Sequence, residues 1–546
     1  MTGIPIFSKA FLVSNLSLPF DAEDGEFLHI AAVKMKRTGI HPDMLHFQIY
    51  KKSIDARKKD SIRAVCSVIA RSEEPVGANP EALSRESVKP FAEKELEPTY
   101  GNEKMQGRPL VVGMGPCGMF CALLLAENGY APIVIDRGGS VDERVDAVER
   151  FLHERLLDTS TNIQFGAGGA GTFSDGKLVT RIHDDFCGYV LKTFHRFGAP
   201  DDILTKAKPH IGTDILRRVV AEILARIREL GGTLYYHCRL DGLSYHADGG
   251  VTAKTTKGEI ACGAVVLAVG HSARDTYEML AENGFLLVPK PFSVGVRVEH
   301  LQEDIDKALF GALAGHPKLG KGEYNLSYTG GERGVYTFCM CPGGEVVAAT
   351  SEEGGVVVNG MSRYARDGKN ANSAVAVSVT PEDFGDDVFR AVTFQRNLER
   401  AAFAAGGGTY AAPVETMGDF LDIGRAVHEP GRIMPSYMNG FCRVASLDNV
   451  LPPFVAENLR TGFRLFGKRI PCFDEKDAVL SAVETRTSAP LRIARNEDMS
   501  AVGQNYVYPC GEGAGYAGGI TSAAVDGVRV AFSIMKRFAA PNVERN

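Results

Sequence analysis

Three glycines in the first quarter of the chain have a spacing that suits nucleotide binding. Gly113, Gly115 and Gly118 form the pattern G-x-G-x-x-G directly after the short apolar run 110–112. In this pattern the first glycine allows a tight turn, the second lets a pyrophosphate approach the backbone, and the third lets a helix pack closely on a strand. The spacing predicts a dinucleotide site, with an ordinary βαβ turn that binds nothing as the alternative.

The residues that follow strengthen this interpretation. Good helix formers continue to residue 128, and Gly129 is placed to end the helix. A second apolar run, 133–135, ends at an acid roughly 20 residues after the glycines, where a carboxylate would hold a ribose hydroxyl. From this stretch we expect cofactor contacts at Gly113, Gly115, Pro116, Cys117, Gly118, Asp136 and Arg137.

A second glycine run, FGAGGAGTFSDGKLVTR, covers residues 165–181. Its exposed backbone N–H groups and small polar side chains are suited to wrapping a phosphate or lying against a flat ring. A flexible surface loop is the alternative. The contacts expected here are Gly169, Gly171, Thr172, Phe173 and Ser174.

Two further segments end in small residues. The apolar strand AVVLAVG, 264–270, would bring Ala268 and Gly270 close to a cofactor. Near the C-terminus, Gly511 and Glu512 turn the chain, and Gly518 and Gly519 precede a helix predicted to start at Ile520. The N–H groups of that helix would face negative charge, such as the N1–C2=O edge of a reduced flavin, and Glu512 would bond a ribityl hydroxyl.

Composition excludes several classes of protein. The 546 residues suffice for three or four domains, and a net charge of -6 argues against nucleic acid as the main partner. No apolar run reaches 18 residues, so no membrane span is predicted, and the N-terminus resembles the start of a domain more than a signal peptide. Eleven scattered cysteines without a C-x-x-C pair or zinc spacing predict reduced thiols, a cytoplasmic location and no metal.

The order of patterns predicts a domain organisation. Residues 1–75 form a small N-terminal α/β domain with a basic turn, KKSIDARKK at 51–59, and 76–108 a polar linker. The segments 233–238, 240–245 and 251–256 alternate like strands of a meander. Because the chain returns to a strand-turn-helix pattern at its end, the nucleotide domain is predicted to be split into 109–290 and 476–546. An α+β substrate or cap domain, 291–475, is inserted between its parts.

The separated motifs GMGPCG with Asp136, AVG and GEGAGYAGGI resemble the glutathione-reductase-type FAD-binding flavoproteins. The segments GGAGTFSDGKLVTR, KPFSVGVRVEH and AVETRTSAP are also similar to an uncharacterised bacterial family of FAD-dependent, or NAD(FAD)-utilising, dehydrogenases. The resemblance implies an α/β fold with a discontinuous Rossmann-like FAD-binding domain, and FAD as cofactor. NAD(P)H stays open as electron donor, although the sequence shows no second dinucleotide motif.

A flavin would carry out the hydride chemistry, so the protein needs only to position substrate and tune the ring. The residues we place there, each of which could equally form a structural ion pair, are Asp175, Lys177, Lys290, Arg297, Glu484 and Arg486. Cys339 and Cys341, spaced C-x-C, suggest a dithiol, but a disulfide between them within a strand would be strained.

Two functions from different classes remain open on the sequence. The first is an FAD-dependent oxidoreductase acting on a small or medium organic substrate, fed by NAD(P)H or by an electron-transfer partner. The second is an RNA- or protein-interacting flavoprotein in which FAD is structural or sensing and the N-terminal domain docks a partner. The basic turn could touch RNA or phosphate, but a solvated hairpin tip is favoured because no aromatic residue interleaves its charges for base stacking, and the first function leads.

Overall fold

The computed structural model describes residues 6–93, 97–247, 249–422 and 426–541 as a mixture of helices with parallel and antiparallel sheets. The strands are, in chain order, β1 Ile6–Pro19, β2 His46–Asp55, β3 Arg63–Ala78, β4 Val88–Pro90, β5 Pro109–Val112, β6 Ile133–Ile135, β7 Thr233–Tyr235, β8 Leu240–Tyr245, β9 Val251–Thr255, β10 Gly258–Cys262, β11 Ala264–Leu267, β12 Leu287–Pro289, β13 Phe292–Leu301, β14 Ser327–Tyr328, β15 Val335–Cys341, β16 Glu345–Ala348, β17 Val358–Met361, β18 Asn370–Val379, β19 Ala412–Thr416, β20 Cys442–Val444, β21 Val479–Glu484, β22 Leu491–Ile493 and β23 Val507–Pro509. The α-helices are α1 Asp24–Arg37, α2 Pro80–Arg85, α3 Pro116–Glu127, α4 Val141–Glu154, α5 Phe186–Arg196, α6 Thr213–Glu229, α7 Arg274–Glu282, α8 Gln302–Phe310, α9 Pro381–Phe384, α10 Val388–Ala405, α11 Met417–Leu421, α12 Pro453–Gly467 and α13 Ile520–Arg537. Among the described helices, none combines the length and apolarity that crossing a membrane would need.

The chain divides into two compact units. The first contains Met1–Glu97, Pro200–His210 and Asp306–Gly322, and the second contains the rest. In the first unit, an antiparallel sheet of order β2-β3-β1-β4 is covered by α1. Phe27 of α1 is fully buried against this sheet, because the helix places its apolar residues on one face.

The nucleotide-binding motifs lie in the second unit, on a parallel sheet. The order of its five strands is β23-β11-β5-β6-β7. All four residues of β5 and of β11 are buried, as expected for central strands covered on both faces. The carboxyl ends of β5, β11 and β23 therefore meet at one edge, where loops bind ligands in such sheets.

A second sheet in the same unit carries two of the six residues predicted to be catalytic, Arg297 and Glu484. Its seven strands have the order β14-β15-β18-β13-β21-β19-β20. Every residue of β13 and of β21 is buried, so the two strands form the centre of this part of the chain. Charged side chains on such strands must find partners inside the protein.

Three predicted segments differ from the observed strands. Residues 76–90, predicted as part of a linker, contain the end of β3 and all of β4, which pairs with β1 through Val88. The insertion, predicted to end at 475, shares its sheet with β21, which pairs with β13. The first segment of the predicted meander, β7, instead joins the parallel sheet beside β6, because Leu234 pairs with Val134.

Candidate active site

The first glycine motif lies at the carboxyl end of β5. Gly113 has φ +108°, and a Cβ there would lie 2.2 Å from the carbonyl oxygen of Ala268. A Cβ at Gly118 would lie 1.9 Å from the carbonyl oxygen of Gly113, so both positions require glycine. Gly115 is the N-cap of α3, and a Cβ there would come no closer than 3.8 Å to its nearest neighbour, Gly169. The surroundings of Gly115 are therefore less crowded than those of Gly113 and Gly118.

The second glycine run packs directly against the first. A Cβ at Gly169 would lie 2.8 Å from the Cα of Gly115. A Cβ at Gly171 would lie 2.9 Å from the Cγ1 of Ile520, the first residue of α13. The structure thus brings residues from three predicted cofactor-binding segments into contact.

The Phe173 side chain of the second glycine run contacts two arginines. The guanidinium groups of Arg144 and Arg217 lie 4.7 and 4.6 Å from the centroid of its ring. Ser174 donates a hydrogen bond to the backbone of its own turn. Thr172 Oγ1 is buried and has no hydrogen-bond partner among the described residues. A ligand polar group would supply what this hydroxyl lacks.

The end of β11 and the third glycine run are packed together. A Cβ at Gly513 would lie 2.5 Å from the carbonyl oxygen of Gly270. The Tyr277 hydroxyl lies 3.3 and 2.9 Å from the carbonyl oxygens of these two glycines. The backbone N–H of Gly511 donates to Asp526 at 2.7 Å, which fixes the start of the same turn.

Other glycines of the predicted site face open space. A Cβ at Gly270, Gly518 or Gly519 would meet no atom within 4 Å. Gly519 is the N-cap of the 18-residue helix α13, whose first N–H groups attract negative charge. The crowded glycines therefore hold the three segments together, while the open ones leave backbone accessible beside a helix N-terminus. This arrangement, together with the unpartnered Thr172 hydroxyl, fits a dinucleotide cofactor.

Asp136 makes backbone hydrogen bonds at the end of β6. Its carboxylate accepts from the N–H of Met114 at 2.8 Å and from that of Gly138 at 2.9 Å. Each carboxylate oxygen can accept a second bond, so its predicted role toward a ribose stays a prediction. The neighbouring Arg137 pairs with Asp275 at 2.8 Å.

Two predicted catalytic residues form a buried ion pair with each other. Arg297 Nε on β13 lies 2.8 Å from Glu484 Oε2 on β21, and both side chains are buried. The same guanidinium donates to the Oδ1 of Asn372 at 2.7 Å and of Asn359 at 3.0 Å. Arg297 is thus held in one orientation.

Asp175 and Lys177 belong to a second charged group. The Asp175 carboxylate is fully buried and accepts from Arg366 Nε and Nη2 at 3.0 and 2.6 Å. Lys177 Nζ lies 3.1 Å from Asp175 and 3.2 Å from Glu323. These pairs tie the second glycine run to the loop after β17 and to the segment before β14.

Arg486 belongs to a third charged group, whose other two members the sequence analysis did not identify. Glu399 on α10 accepts from Arg486 Nε at 2.7 Å and from Arg274 Nη2 at 2.9 Å. All three side chains are buried. Neither Glu399 nor Arg274 lies in a glycine-rich motif, so their role depends on tertiary contacts that no local pattern shows.

The remaining predicted catalytic residue, Lys290, lies near groups with shifted pKa values. Its Nζ donates weakly to Ser488 Oγ at 3.4 Å, and burial lowers its pKa. Burial raises the pKa of Glu512 to about 7, against the opposing effects of Lys290 and of the Gly519 N–H. His271, which sequence reasoning did not single out, follows the AVG strand, and burial lowers its pKa to about 3, so it is neutral. Such shifts occur at sites of proton transfer.

The C-x-C pair lies on an irregular part of β15. The register with β18 shifts between Phe338 and Cys341, and Cys339 has φ +45°. Cys341 Sγ lies 3.4 Å from the carbonyl oxygen of Cys339, to which its thiol donates. The prediction that a disulfide here would be strained assumed a regular strand, which the β-bulge interrupts, and it stays a prediction.

One cluster of metal-ligating residue types occurs in the described part of the chain. Cys117, Cys510 and Asp526 offer ligand atoms within 4.8 Å of one another. Asp526, however, accepts from both terminal nitrogens of Arg495, at 2.9 and 2.8 Å, so its charge is already matched. Burial raises the pKa of both thiols. The cluster instead joins the first and third glycine runs.

A partly open apolar cavity of about 120 Å³ lies beside Phe173. Side chains from α4 and from the β16–β17 hairpin form most of its wall. None of the six predicted catalytic residues lines it. The cavity is smaller than typical pockets for organic ligands, and it lacks the charged groups predicted to act on a substrate.

Comparison with known proteins places this chain among relatives. A family described as FAD-dependent protein, C-terminal domain-like, matches residues 291–487, and a domain of unknown function matches residues 12–71. An uncharacterised protein of Clostridium beijerinckii is 44% identical over 542 residues, which cover 97% of this chain and 100% of that protein. The family match supports FAD as the cofactor.

Similar solved structures are distant from this chain. Aklavinone-11 hydroxylase, solved with FAD and aklavinone, is 14% identical, with a TM-score of 0.33, and the match covers 79% of this chain and 62% of the hydroxylase. Glycine oxidase from Geobacillus kaustophilus is 12% identical, with a TM-score of 0.33, and the match covers 79% of this chain and 95% of the oxidase.

Proposed function

Since the chain belongs to the same family as the Clostridium beijerinckii protein, we propose that it is an FAD-dependent oxidoreductase that passes a hydride between flavin N5 and a small or medium organic substrate. The observation that carries this proposal is the open glycine edge. Gly270, Gly518 and Gly519 leave backbone uncovered at the ends of β11 and before α13, while their crowded neighbours hold these segments in place.

The groups around that edge suit proton transfer next to a redox cofactor. FAD, when bound, supplies the hydride chemistry itself. Lys290, with a lowered pKa, and Glu512, with a raised one, interact electrostatically and both titrate closer to neutrality than usual. An acid–base pair of this kind accepts and returns the proton that accompanies a hydride. His271, kept neutral by burial, is available to accept a hydrogen bond.

The ion pairs of the other predicted residues give them positioning roles. Arg297 with Glu484, and Arg486 with Glu399, form buried ion pairs. Such pairs hold strand β21 and its following loop against β13 and α10. We therefore assign the proton-handling role to Lys290 and Glu512, and a structural role toward the site to these pairs.

The test is the visible spectrum of the purified protein under anaerobic conditions. NADH, NADPH and a panel of amino acids, amines, hydroxy acids and alcohols are added separately, and the flavin absorbance is followed. Bleaching by a nicotinamide would identify a reductase, and bleaching by one of the organic compounds would identify a dehydrogenase or oxidase. A bound flavin that dithionite reduces, but that none of these compounds reduces, would contradict the proposal.

A further inference from the structure

Cys339 and Cys341 are arranged differently from two residues on a regular strand. The bulge places two residues of β15 opposite one of β18, and Cys339 takes up a left-handed backbone conformation. Such a conformation is uncommon for a residue other than glycine and concentrates at functional sites. In this conformation Cys341 Sγ reaches back across a single intervening residue, Met340, and donates to the carbonyl oxygen of Cys339 at 3.4 Å.

The two sulfurs differ in accessibility. Cys339 is partly exposed, whereas Cys341 is buried. In dithiol chemistry the accessible sulfur meets the substrate and the shielded one closes the ring afterwards. The difference in exposure therefore indicates that Cys339 attacks first and Cys341 second.

A buried cation stands beside the pair. Arg297 Nη1 donates to the carbonyl oxygen of Cys339 at 3.1 Å and lies 4.0 Å from Cys341 Sγ. The hydrogen bond from Cys341, followed by the charges of Arg297 and Lys177, lowers the pKa of Cys339 against the effect of burial. A thiolate is the nucleophilic form of cysteine.

The pair also lies close to the proposed cofactor site. Lys177 belongs to the second glycine run, and its charge acts on Cys339. Glu512 belongs to the third run, and Cys339 acts in turn on its carboxyl group.

We propose that Cys339 and Cys341 form a redox-active dithiol that exchanges two electrons with a small disulfide, Cys339 attacking and Cys341 resolving. A small disulfide is favoured over a protein disulfide because the Cys339 side chain is only partly exposed. The proposal rests on the proposed FAD-dependent function only for the source of electrons, which is a reduced flavin.

The exchange with the small disulfide takes place in two steps. The Cys339 thiolate bonds to one sulfur of R–S–S–R, the substrate bond breaks, and RS⁻ leaves and takes a proton from solvent. The hydrogen bond to Cys339, then burial, then the charge of Cys339 raise the pKa of Cys341 in the resting dithiol, and the two effects of Cys339 end once it is in the mixed disulfide. Cys341 then loses its proton and attacks Cys339, and the second RS⁻ leaves with that proton. Two electrons and two protons from the reduced flavin restore the dithiol.

The experiment reads the two cysteines directly. The holoprotein is equilibrated with glutathione buffers of graded ratio, quenched with an alkylating reagent and digested with trypsin. Cleavage after Arg333 and Arg363 releases one peptide, 334–363, whose only cysteines are Cys339 and Cys341. We expect this peptide to change in one two-electron step from the doubly alkylated form to an internal disulfide, which carries no alkyl group and is two hydrogens lighter than the free dithiol.

Variants test the order of attack. Cys341→Ala should trap Cys339 as a mixed disulfide with glutathione, and Cys339→Ser should leave Cys341 alkylated in every buffer. Cys442→Ser, in the same sheet and with a thiol whose pKa is raised by burial, should leave the transition unchanged. Circular dichroism shows whether each variant is folded.

Two results would overturn the proposal. In the first, the wild-type peptide stays doubly alkylated in fully oxidised glutathione. In the second, the wild-type peptide forms a mixed disulfide with glutathione but no internal disulfide. Because mass reports the thiol state without any flavin signal, a failure of the proposed FAD function would show separately, as absence of bound flavin.

Discussion

Replacing Gly518 by valine tests where the cofactor lies. Gly518 precedes α13, its φ lies outside the left-handed range, and a Cβ there would meet no atom within 4 Å. The new side chain therefore finds room in the protein without cofactor, so we expect the stability of that form to change by no more than about 0.5 kcal/mol. With FAD bound, the valine would occupy the space of the ligand.

The expected effect on binding follows from the cost of overpacking. Forcing extra carbon atoms into a filled space costs about 1–3 kcal/mol. This corresponds to an FAD dissociation constant about 5- to 150-fold higher than that of the wild type. Isothermal titration of the protein freed of flavin measures the constant, and thermal unfolding of the same sample measures the stability.

Gly431→Val is the matched control. Gly431 is exposed, also has a φ outside the left-handed range, and likewise has nothing within 4 Å of its Cβ, but it belongs to none of the glycine runs. It should bind FAD with wild-type affinity. The reasoning is refuted if Gly518→Val also binds FAD as the wild type does, or if both variants weaken binding equally.

Two further predictions concern buried carboxyl groups. Glu399→Gln should destabilise the protein by about 3–5 kcal/mol, because Arg274 and Arg486 lose the charge between them, whereas the exposed Glu497→Gln should change little. Burial raises the pKa of Glu399, but the charges of Arg486 and Arg274 outweigh it and lower that pKa, so the contribution of Glu399 to stability is present above pH 4.5 and is lost on acidification. The melting temperature of Glu399→Gln should therefore fall less steeply in acid than that of the wild type. An equal fall would contradict this prediction. The pKa of Glu512 is raised from 4.5 to about 7, so its contribution to stability is complete below pH 4.5 and is lost as the pH rises toward 7. Glu512→Gln cannot ionise and should therefore lose less stability than the wild type over that interval. A difference in stability between the two proteins that does not change with pH would refute the raised pKa.

The sequence predicted the strands and tight glycine turns of the parallel sheet, because their patterns are short. Gly113 and Gly118 are required by contacts within a few residues or with the next strand, and G-x-G-x-x-G records those contacts directly. The short apolar runs that became β5, β6 and β11 also needed no distant information, since their residues are buried on both faces.

Other features depend on contacts between distant parts of the chain. Glu399 binds Arg486 across 87 positions and Arg274 across 125, so no pattern around any of them predicted the group. The bulge at Cys339 arises from the pairing of β15 with β18, which a C-x-C spacing does not encode. The pKa values of Lys290 and Glu512 follow from burial and mutual proximity, which only the folded chain defines.

The cofactor content of the purified protein tests the central claim most directly. The protein is denatured, and the released cofactor is identified by chromatography and mass and counted against protein. We predict one FAD for each chain, either as isolated or after reconstitution. A protein that carries no flavin, and that takes up none when incubated with excess FAD, would contradict the account.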